Sequence, residues 1–179
     1  MDSYAVLVID VQRGLFDENP KPYKTDSLVQ TINDLTNKAR SSKVPVIFIQ
    51  HEKDSGHLEY KSESWNLLPE LYIKRSDYKV RKTTPDAFHD TKLEGILKAL
   101  GIQNLIICGY ASEYCIDTTV RCAASLGYDI QLVSNGHTTH DKKHLLAKQI
   151  IEHHNITLSN ITSFNSVIKA VESDDITFE

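Results

Sequence analysis

Apolar runs alternate with helical patterns along this chain, and this alternation limits the folds that it can adopt. Two of the predicted strands, Tyr4–Asp10 and Val44–Gln50, are almost continuously apolar and rich in Val and Ile. Strands of this kind are buried on both faces, which is typical of a parallel sheet with helices on each side. Residues 25–42 have the apolar spacing of an amphipathic helix. The sequence therefore predicts an α/β fold.

The remaining predicted elements continue this alternation. Further strands are predicted at 78–81, 104–108, 129–133 and 156–161, and further helices at 91–100, 112–126, 141–154 and 163–171. Glycine follows two of these helices, at Gly101 and Gly127, as is common at helix ends. The acidic segment 172–179 is interpreted as a loose tail. We expect a single domain spanning residues 1–179.

Charge and composition argue against two classes of partner. The net charge of -4 gives no electrostatic case for nucleic-acid binding. No apolar run approaches the roughly 20 residues that span a bilayer, and the N-terminus lacks the basic region of a signal peptide. We therefore expect a cytoplasmic protein without a membrane partner. The odd number of cysteines, three, argues against a disulfide framework, and Cys108 and Cys122 are predicted to be core residues.

Three chemically distinct side chains follow three of the predicted strands. Asp10 ends the first strand, Lys82 follows the third, and Cys115 follows the fourth. In open α/β sheets, ligands bind beyond the carboxyl ends of the strands, so we expect these side chains to meet. If Ser112 caps the next helix, Cys115 lies in its first turn, where free N–H groups and the helix dipole favour a thiolate.

Such a trio is suited to nucleophilic hydrolysis of an amide. The carboxylate of Asp10 can take the thiol proton of Cys115, and Lys82 favours the thiolate. Backbone N–H groups at the helix start can bind the oxyanion, and water then cleaves the thioester. Each residue alone has another interpretation: Asp10 as a turn residue, Lys82 as a solvated surface charge, and Cys115 as part of the core.

The order and spacing of three sequence blocks resemble those of the isochorismatase-like cysteine hydrolases, which include nicotinamidases. The blocks are Val8–Gln12 with Phe16, Lys82 with Asp86–Phe88, and Cys108–Ile116. The resemblance implies a three-layer α/β/α sandwich with Rossmann-like topology and a parallel sheet of about six strands. It also implies a catalytic triad of Asp10, Lys82 and Cys115.

The same resemblance implies further features of the site. It predicts a cis peptide bond between Tyr110 and Ala111, and an oxyanion hole formed by the backbone N–H groups of Ala111 and Cys115. The side chains that it places around the substrate are Phe16, Trp65, Phe88, Tyr110 and Ile116. Each of these, taken alone, could equally be a core residue.

Two features narrow the expected reaction. Isochorismatases proper cleave a vinyl ether without a thiol nucleophile, so the presence of Cys115 indicates hydrolysis of a C–N bond in a small-molecule amide. Metal-dependent nicotinamidases have an Asp-x-His pair after the second strand, where this chain has Gln50-His51-Glu52. We therefore expect no cofactor and no metal, and we disfavour nicotinamide as the substrate. A weak metal site near His51 and His57 stays open, as does the identity of the substrate.

The polar segment His51–Arg75 is longer than an ordinary connection, and we interpret it as a flap that walls the pocket or meets a partner subunit. The resemblance implies a homo-oligomer, a dimer or larger. The run from His137 to His144 is interpreted as capping and solvated surface, with His140 and His144 on one helix face. Alternative functions are a nicotinamidase, a non-catalytic binder of a small metabolite, or a redox-sensing thiol.

Overall fold

The computed structural model describes residues 3–178, and at its centre is a six-stranded sheet in which every strand pair is parallel. The strands are β1 (Tyr4–Ile9), β2 (Val46–His51), β3 (Tyr78–Lys82), β4 (Asn104–Tyr110), β5 (Asp129–Thr138) and β6 (Ile168–Val171). Their order is β3-β2-β1-β4-β5-β6. The winding reverses between β1 and β4, which puts the expected ligand site beyond the ends of these two strands. The predicted parallel α/β/α fold is confirmed.

Helices cover both faces of the sheet. They are α1 (Arg13–Phe16), α2 (Thr25–Ser41), α3 (Leu93–Ala99), α4 (Asp117–Ser125) and α5 (Ala147–Ser159). Leu7 and Ile9 of β1 pack with α3, α4 and α5, whereas Val6 and Val8 pack with α2. Because alternate residues of β1 enter different cores, the whole strand is apolar. Between residues 3 and 178, no helix combines the length and apolar character needed to cross a membrane.

The C-terminal third of the chain differs from the prediction. The strand predicted at 156–161 is wrong, because α5 continues through Ser159, and the helix predicted at 163–171 is wrong, because β6 lies there. Ile168 pairs with Ile130 of β5, and this tertiary pairing decides the conformation of a segment whose local spacing also suits a helix. Helix α5 starts at Ala147 rather than at 141, and the Asp141 carboxylate accepts the Ala147 N–H at 2.8 Å.

The acidic C-terminal segment is not a loose tail as far as residue 178. A short 3-10 turn, Ser173–Asp175, leads to Ile176, which is fully buried in the core beneath α2. The Lys38 ammonium donates a hydrogen bond to the Ile176 carbonyl at 2.5 Å. Phe178 meets the ring of Tyr4 edge-on, with centroids 6.3 Å apart. The prediction was wrong because two apolar residues among the acidic ones complete the core.

The segment between β2 and β3 has irregular structure but is packed against its own chain. Its apolar residues Leu58, Leu68 and Leu71 are buried. The carbonyl of Trp65 accepts hydrogen bonds from the side-chain amides of Gln12, at 2.7 Å, and Gln50, at 3.0 Å. These bonds attach the flap to the carboxyl end of the sheet, while contact with a partner subunit stays a prediction.

Candidate active site

Strands β1 and β4 approach each other closely where the candidate site begins. Gly109, near the end of β4, has φ +125°, and a Cβ at this position would lie 2.1 Å from the carbonyl oxygen of Ile9. Only glycine allows such an approach. Asp10 directly follows Ile9 and has φ +53°, a left-handed conformation that Asp tolerates better than most residues. The chain therefore turns sharply at Asp10, beside the end of β4.

The three predicted catalytic side chains lie within bonding reach of one another. The Lys82 Nζ is 2.7 Å from Asp10 Oδ2 and donates to Cys115 Sγ at 3.2 Å. It also donates to the carbonyl of Thr84 at 3.1 Å. Asp10 and Lys82 are only 1% and 2% exposed, whereas Cys115 is half-buried. The structure thus brings together an acid, an ammonium group and a thiol at the carboxyl edge of the sheet, and their catalytic roles stay a prediction.

The expected bias of Cys115 toward thiolate is wrong. Burial first, and the negative charge of Asp10 second, raise the pKa of the Cys115 thiol to about 12, and Lys82 opposes both effects. The resting sulfur is therefore protonated at neutral pH, and it needs a base before it can attack. Within residues 3–178, Asp10 Oδ1 is buried without a hydrogen-bond partner, so one acceptor of the carboxylate stays available.

Cys115 lies in a π-turn, Ser112–Ile116, that leads directly into α4. The predicted cis peptide bond between Tyr110 and Ala111 is present. Ala111, and not Ser112, is the N-cap of the turn. The carbonyl of Ala111 accepts the N–H groups of Tyr114 at 3.0 Å and Ile116 at 3.1 Å. These donors are the neighbours of Cys115 on both sides, so the turn places the Cys115 N–H among the groups that begin a helix.

Three of the aromatic and apolar side chains predicted to bind substrate are found near strand ends at this edge. Phe16 meets Tyr110 edge-on with ring centroids 5.4 Å apart, and the Tyr110 hydroxyl lies 2.9 Å from His140 Nδ1. The ring of Trp65 meets Tyr60 edge-on at 5.0 Å. The indole N–H of Trp65 is buried and has no partner within the described chain, which leaves it available as a donor.

The other two predicted substrate contacts belong to the core beneath α3 and α4. Phe88 stacks on Tyr128, with centroids 5.8 Å apart, and Tyr128 directly precedes the start of β5. Ile116 is fully buried in the same core. The predicted role of Phe88 and Ile116 in binding substrate finds no support in this placement.

His51 is a neighbour of the site that sequence reasoning did not place beside the lysine. It pairs with Lys82 in the β2–β3 register, and its Nδ1 lies 3.1 Å from Lys82 Nζ. The side chain of Gln12 donates to the His51 carbonyl at 3.0 Å and accepts its N–H at 2.8 Å. Burial, followed by the positive charge of Lys82, lowers the pKa of His51. A neutral His51 can therefore accept a hydrogen bond from the ammonium.

A metal ion does not fit this cluster in its present arrangement. Asp10, His51 and Cys115 offer donor atoms that all lie within 4.8 Å of one another. However, the ammonium of Lys82 contacts each of the three, at distances of 2.7 to 3.2 Å. It neutralises the carboxylate and fills the space that a divalent cation would need. His57 lies apart from this cluster, where its ring contacts the carbonyl of Gly14.

The run from His137 to His144 is solvated surface, as predicted, only at its end, because His137 lies within β5 and is buried. His137 is only 3% exposed and lies between Ser112 Oγ and Asn155 Oδ1, at 2.8 Å from each. Burial lowers the pKa of His137 to about 4. His144 is exposed, and it does not share a helix face with His140 because α5 begins only at Ala147.

Sequence and structure comparisons relate this chain to known proteins. The protein-family model described as the isochorismatase domain matches residues 4–168. Streptothricin hydrolase from Streptomyces noursei is 30% identical over 138 residues, which cover 76% of this chain and 55% of that protein. Ureidoacrylate amidohydrolase RutB from Stutzerimonas stutzeri (strain A1501) is 27% identical over 134 residues, covering 58% of this chain and 54% of that protein. The match thus spans about half the length of these relatives.

Among solved structures, the fold is shared over nearly its full length. The crystal structure of an isochorismatase family protein superposes with a TM-score of 0.87 and 32% identity. The superposition covers 94% of this chain and 98% of that chain.

Proposed function

Because this chain belongs to the isochorismatase family, we propose that it is a hydrolase that cleaves the C–N bond of a small-molecule amide through a thioester on Cys115. The observation that carries the proposal is the position of the Lys82 ammonium, which contacts both the buried Asp10 carboxylate and the Cys115 sulfur. Two relatives named as a hydrolase and an amidohydrolase support the class of reaction, and they do not identify the substrate.

In the first half of the proposed reaction, Asp10 acts as the general base. Its carboxylate takes the proton from the Cys115 thiol, and the sulfur forms a bond to the amide carbonyl carbon. The carbonyl oxygen becomes an oxyanion, which the backbone N–H groups of Ala111 and Cys115 bind. When the oxyanion collapses, the C–N bond breaks, and Asp10 returns the proton to the leaving nitrogen. The products at this stage are an amine or ammonia and a thioester.

The second half reverses these roles. Asp10 takes a proton from water, and the resulting hydroxide adds to the thioester carbonyl at the same oxyanion hole. Collapse of this second tetrahedral intermediate breaks the C–S bond, the sulfur takes the proton back from Asp10, and a carboxylic acid leaves. The enzyme returns to its starting state with a protonated thiol.

Lys82 has two functions in this scheme. Its positive charge compensates the negative charge of the buried Asp10 carboxylate, which would otherwise be buried without a counter-ion. It also opposes the effect of burial on Cys115, whose pKa is raised to about 12. The thiolate therefore forms only as the proton is transferred to Asp10, and Lys82 stabilises the sulfur during that transfer.

Release of ammonia from a panel of small amides, nicotinamide included, tests this function. We expect turnover of at least one amide by the wild-type protein and loss of that turnover in Cys115→Ala. The matched control is Cys122→Ala, because Cys122 is also a free, half-buried thiol and lies in α4 outside the site. Turnover that survives in Cys115→Ala would contradict the proposal. An unchanged affinity of Cys115→Ala for a ligand that the wild type does not cleave would instead indicate a non-catalytic binder.

A further inference from the structure

A largely buried chain of hydrogen bonds runs from the π-turn through His137 of β5 to Asn155 of α5. Ser112 Oγ and His137 Nδ1 are 2.8 Å apart, as are His137 Nε2 and Asn155 Oδ1. Ser112 is fully buried, and His137 is 3% exposed. The proposed reaction uses none of these three side chains, although Ser112 is the first residue of the turn that carries Cys115.

A bulge in β5 brings His137 to this position. Pairing between β4 and β5 passes from Ile107 with Leu132 to Gly109 with His137, so four residues of β5 lie opposite Cys108. Gly136 lies within this bulge, and a Cβ on it would lie 2.5 Å from the Val133 side chain. The close approach requires glycine, and it directs His137 toward the start of the π-turn.

The direction of each hydrogen bond in the chain is fixed. The Asn155 Nδ2 donates to the carbonyl of Ser134 at 3.0 Å, so its Oδ1 is the atom that faces His137. His137 is neutral because burial lowers its pKa to about 4, and a neutral imidazole has one donor and one acceptor nitrogen. Nε2 must therefore donate to Asn155, and Nδ1 must accept the hydroxyl proton of Ser112.

The hydrogen bond between Ser112 and His137 affects which group can bind the N–H of Cys115. A serine three residues before another residue is in the position of an N-cap, whose oxygen accepts the N–H of that residue. By sequence, Ser112 would cap the N–H of Cys115. In the structure the N-cap is one residue earlier, at Ala111, and the Ser112 hydroxyl bonds to His137 instead. A second bond supports the same register, because Thr139 Oγ1 donates to Glu113 Oε1 at 2.8 Å.

We propose that His137 sets the register of the π-turn by holding the Ser112 hydroxyl, and thereby keeps the Cys115 N–H free to bind the oxyanion. The inference rests on the proposed hydrolysis. His137 acts through the turn and touches neither the substrate nor the sulfur, so it is a positioning residue. Without it, the N-cap can move from Ala111 to Ser112, and the serine oxygen then competes with the substrate oxyanion for the same N–H.

Two reactions of the same sulfur distinguish this role from a general structural one. Acylation of Cys115 by p-nitrophenyl acetate passes through an oxyanion, whereas alkylation by iodoacetamide does not. In His137→Phe we expect the acylation rate to fall on the order of 100-fold, as for loss of one oxyanion donor, while alkylation changes less than about threefold. Ser112→Ala should keep the wild-type ratio of the two rates, because it has no hydroxyl to cap the turn.

The double variant Ser112→Ala/His137→Phe is the most direct test, because it also removes the competing hydroxyl. Its ratio of acylation rate to alkylation rate should be at least about tenfold higher than that of His137→Phe. Ser166→Ala is the matched control, since Ser166 is another buried serine whose hydroxyl donates to a carbonyl, that of Ala124. An unchanged ratio in His137→Phe, or no recovery in the double variant, would overturn the inference. If His137→Phe does not fold, His137→Ala takes its place with the same expected fall in the ratio, and a reduced ratio in Ser112→Ala overturns the inference in either case.

If the proposed hydrolysis is wrong, these experiments give a different result from the one expected if only the inference about His137 is wrong. A wild-type protein that is alkylated at Cys115 but never acylated would end the case for a thioester. The register of the turn can still be measured without catalysis, by hydrogen exchange of the Cys115 amide in isotope-labelled protein. We expect this amide to exchange faster in the wild type than in His137→Phe, and the reverse order would contradict the proposed register.

Discussion

Replacing Lys82 by Met isolates the contribution of the buried ion pair. The variant keeps an unbranched side chain of similar length but removes the ammonium, which lies 2.7 Å from Asp10 in a site where both residues are at most 2% exposed. The carboxylate is then buried without its counter-ion. Removing one partner of a buried pair typically costs about 3–5 kcal/mol of unfolding free energy, and we expect a loss in that range.

The double variant Asp10→Asn/Lys82→Met tests whether the loss comes from the unpaired charge. Both charges are then absent, and the unfolding free energy should return to within about 2 kcal/mol of the wild type. The two substitutions should therefore be strongly non-additive, because each alone leaves a buried charge uncompensated. Lys82→Met, Asp10→Asn and the double variant are all expected to lack hydrolytic activity. Their unfolding free energies therefore distinguish them, whereas their activities do not.

Urea unfolding followed by circular dichroism measures these differences. The matched control is Lys98→Met, because Lys98 Nζ also lies 2.7 Å from a carboxylate, that of Glu94, but on the exposed surface of α3. We expect this control to unfold almost as the wild type does, since solvent screens exposed pairs. Equal effects of Lys82→Met and Lys98→Met, or additive effects of the two active-site substitutions, would refute the electrostatic account of the site.

Two further predictions concern the backbone and the pH dependence of stability. Gly109→Ala should lower the unfolding free energy by more than about 2 kcal/mol, because its Cβ would lie 2.1 Å from the Ile9 carbonyl oxygen. The control Gly95→Ala has open space around its Cβ and should not lower the unfolding free energy. Equal urea midpoints of the two variants would contradict this prediction. The pKa of His137 is lowered from 6.5 to about 4, so the unfolded chain binds its proton first as the pH falls. Stability should therefore fall from pH 6.5 to pH 4 by about 3 kcal/mol more in the wild type than in His137→Phe. Parallel curves for the two proteins would exclude this contribution.

Much of the site could be predicted because it depends on where strands end. Asp10, Lys82 and Cys115 follow apolar runs, and the rule that ligands bind at the carboxyl edge of a parallel sheet brings them together without knowledge of side-chain contacts. The contact between His51 and Lys82 depends on the register of β2 and β3, which the local sequence does not specify.

Other features depend on tertiary structure that no local pattern reveals. The four-residue bulge in β5 turns His137 inward, and without it a histidine near Asn135 and Gly136 is naturally interpreted as a turn residue. The position of Cys115 near a helix start favours a thiolate, but the burial that raises its pKa to about 12 becomes visible only in the folded chain. The segment of β6 becomes a strand because β5 offers it a partner.

The proposed reaction requires that the sulfur of Cys115 form a covalent bond to the acyl part of its substrate. Mass spectrometry of the enzyme, quenched with acid during turnover of an amide that releases ammonia, measures this directly. We predict a mass increase equal to the acyl group on the peptide that contains Cys115, which hydroxylamine removes and which Cys115→Ala does not show. Rapid turnover with an unmodified Cys115, together with undiminished activity in Cys115→Ala, would contradict the account.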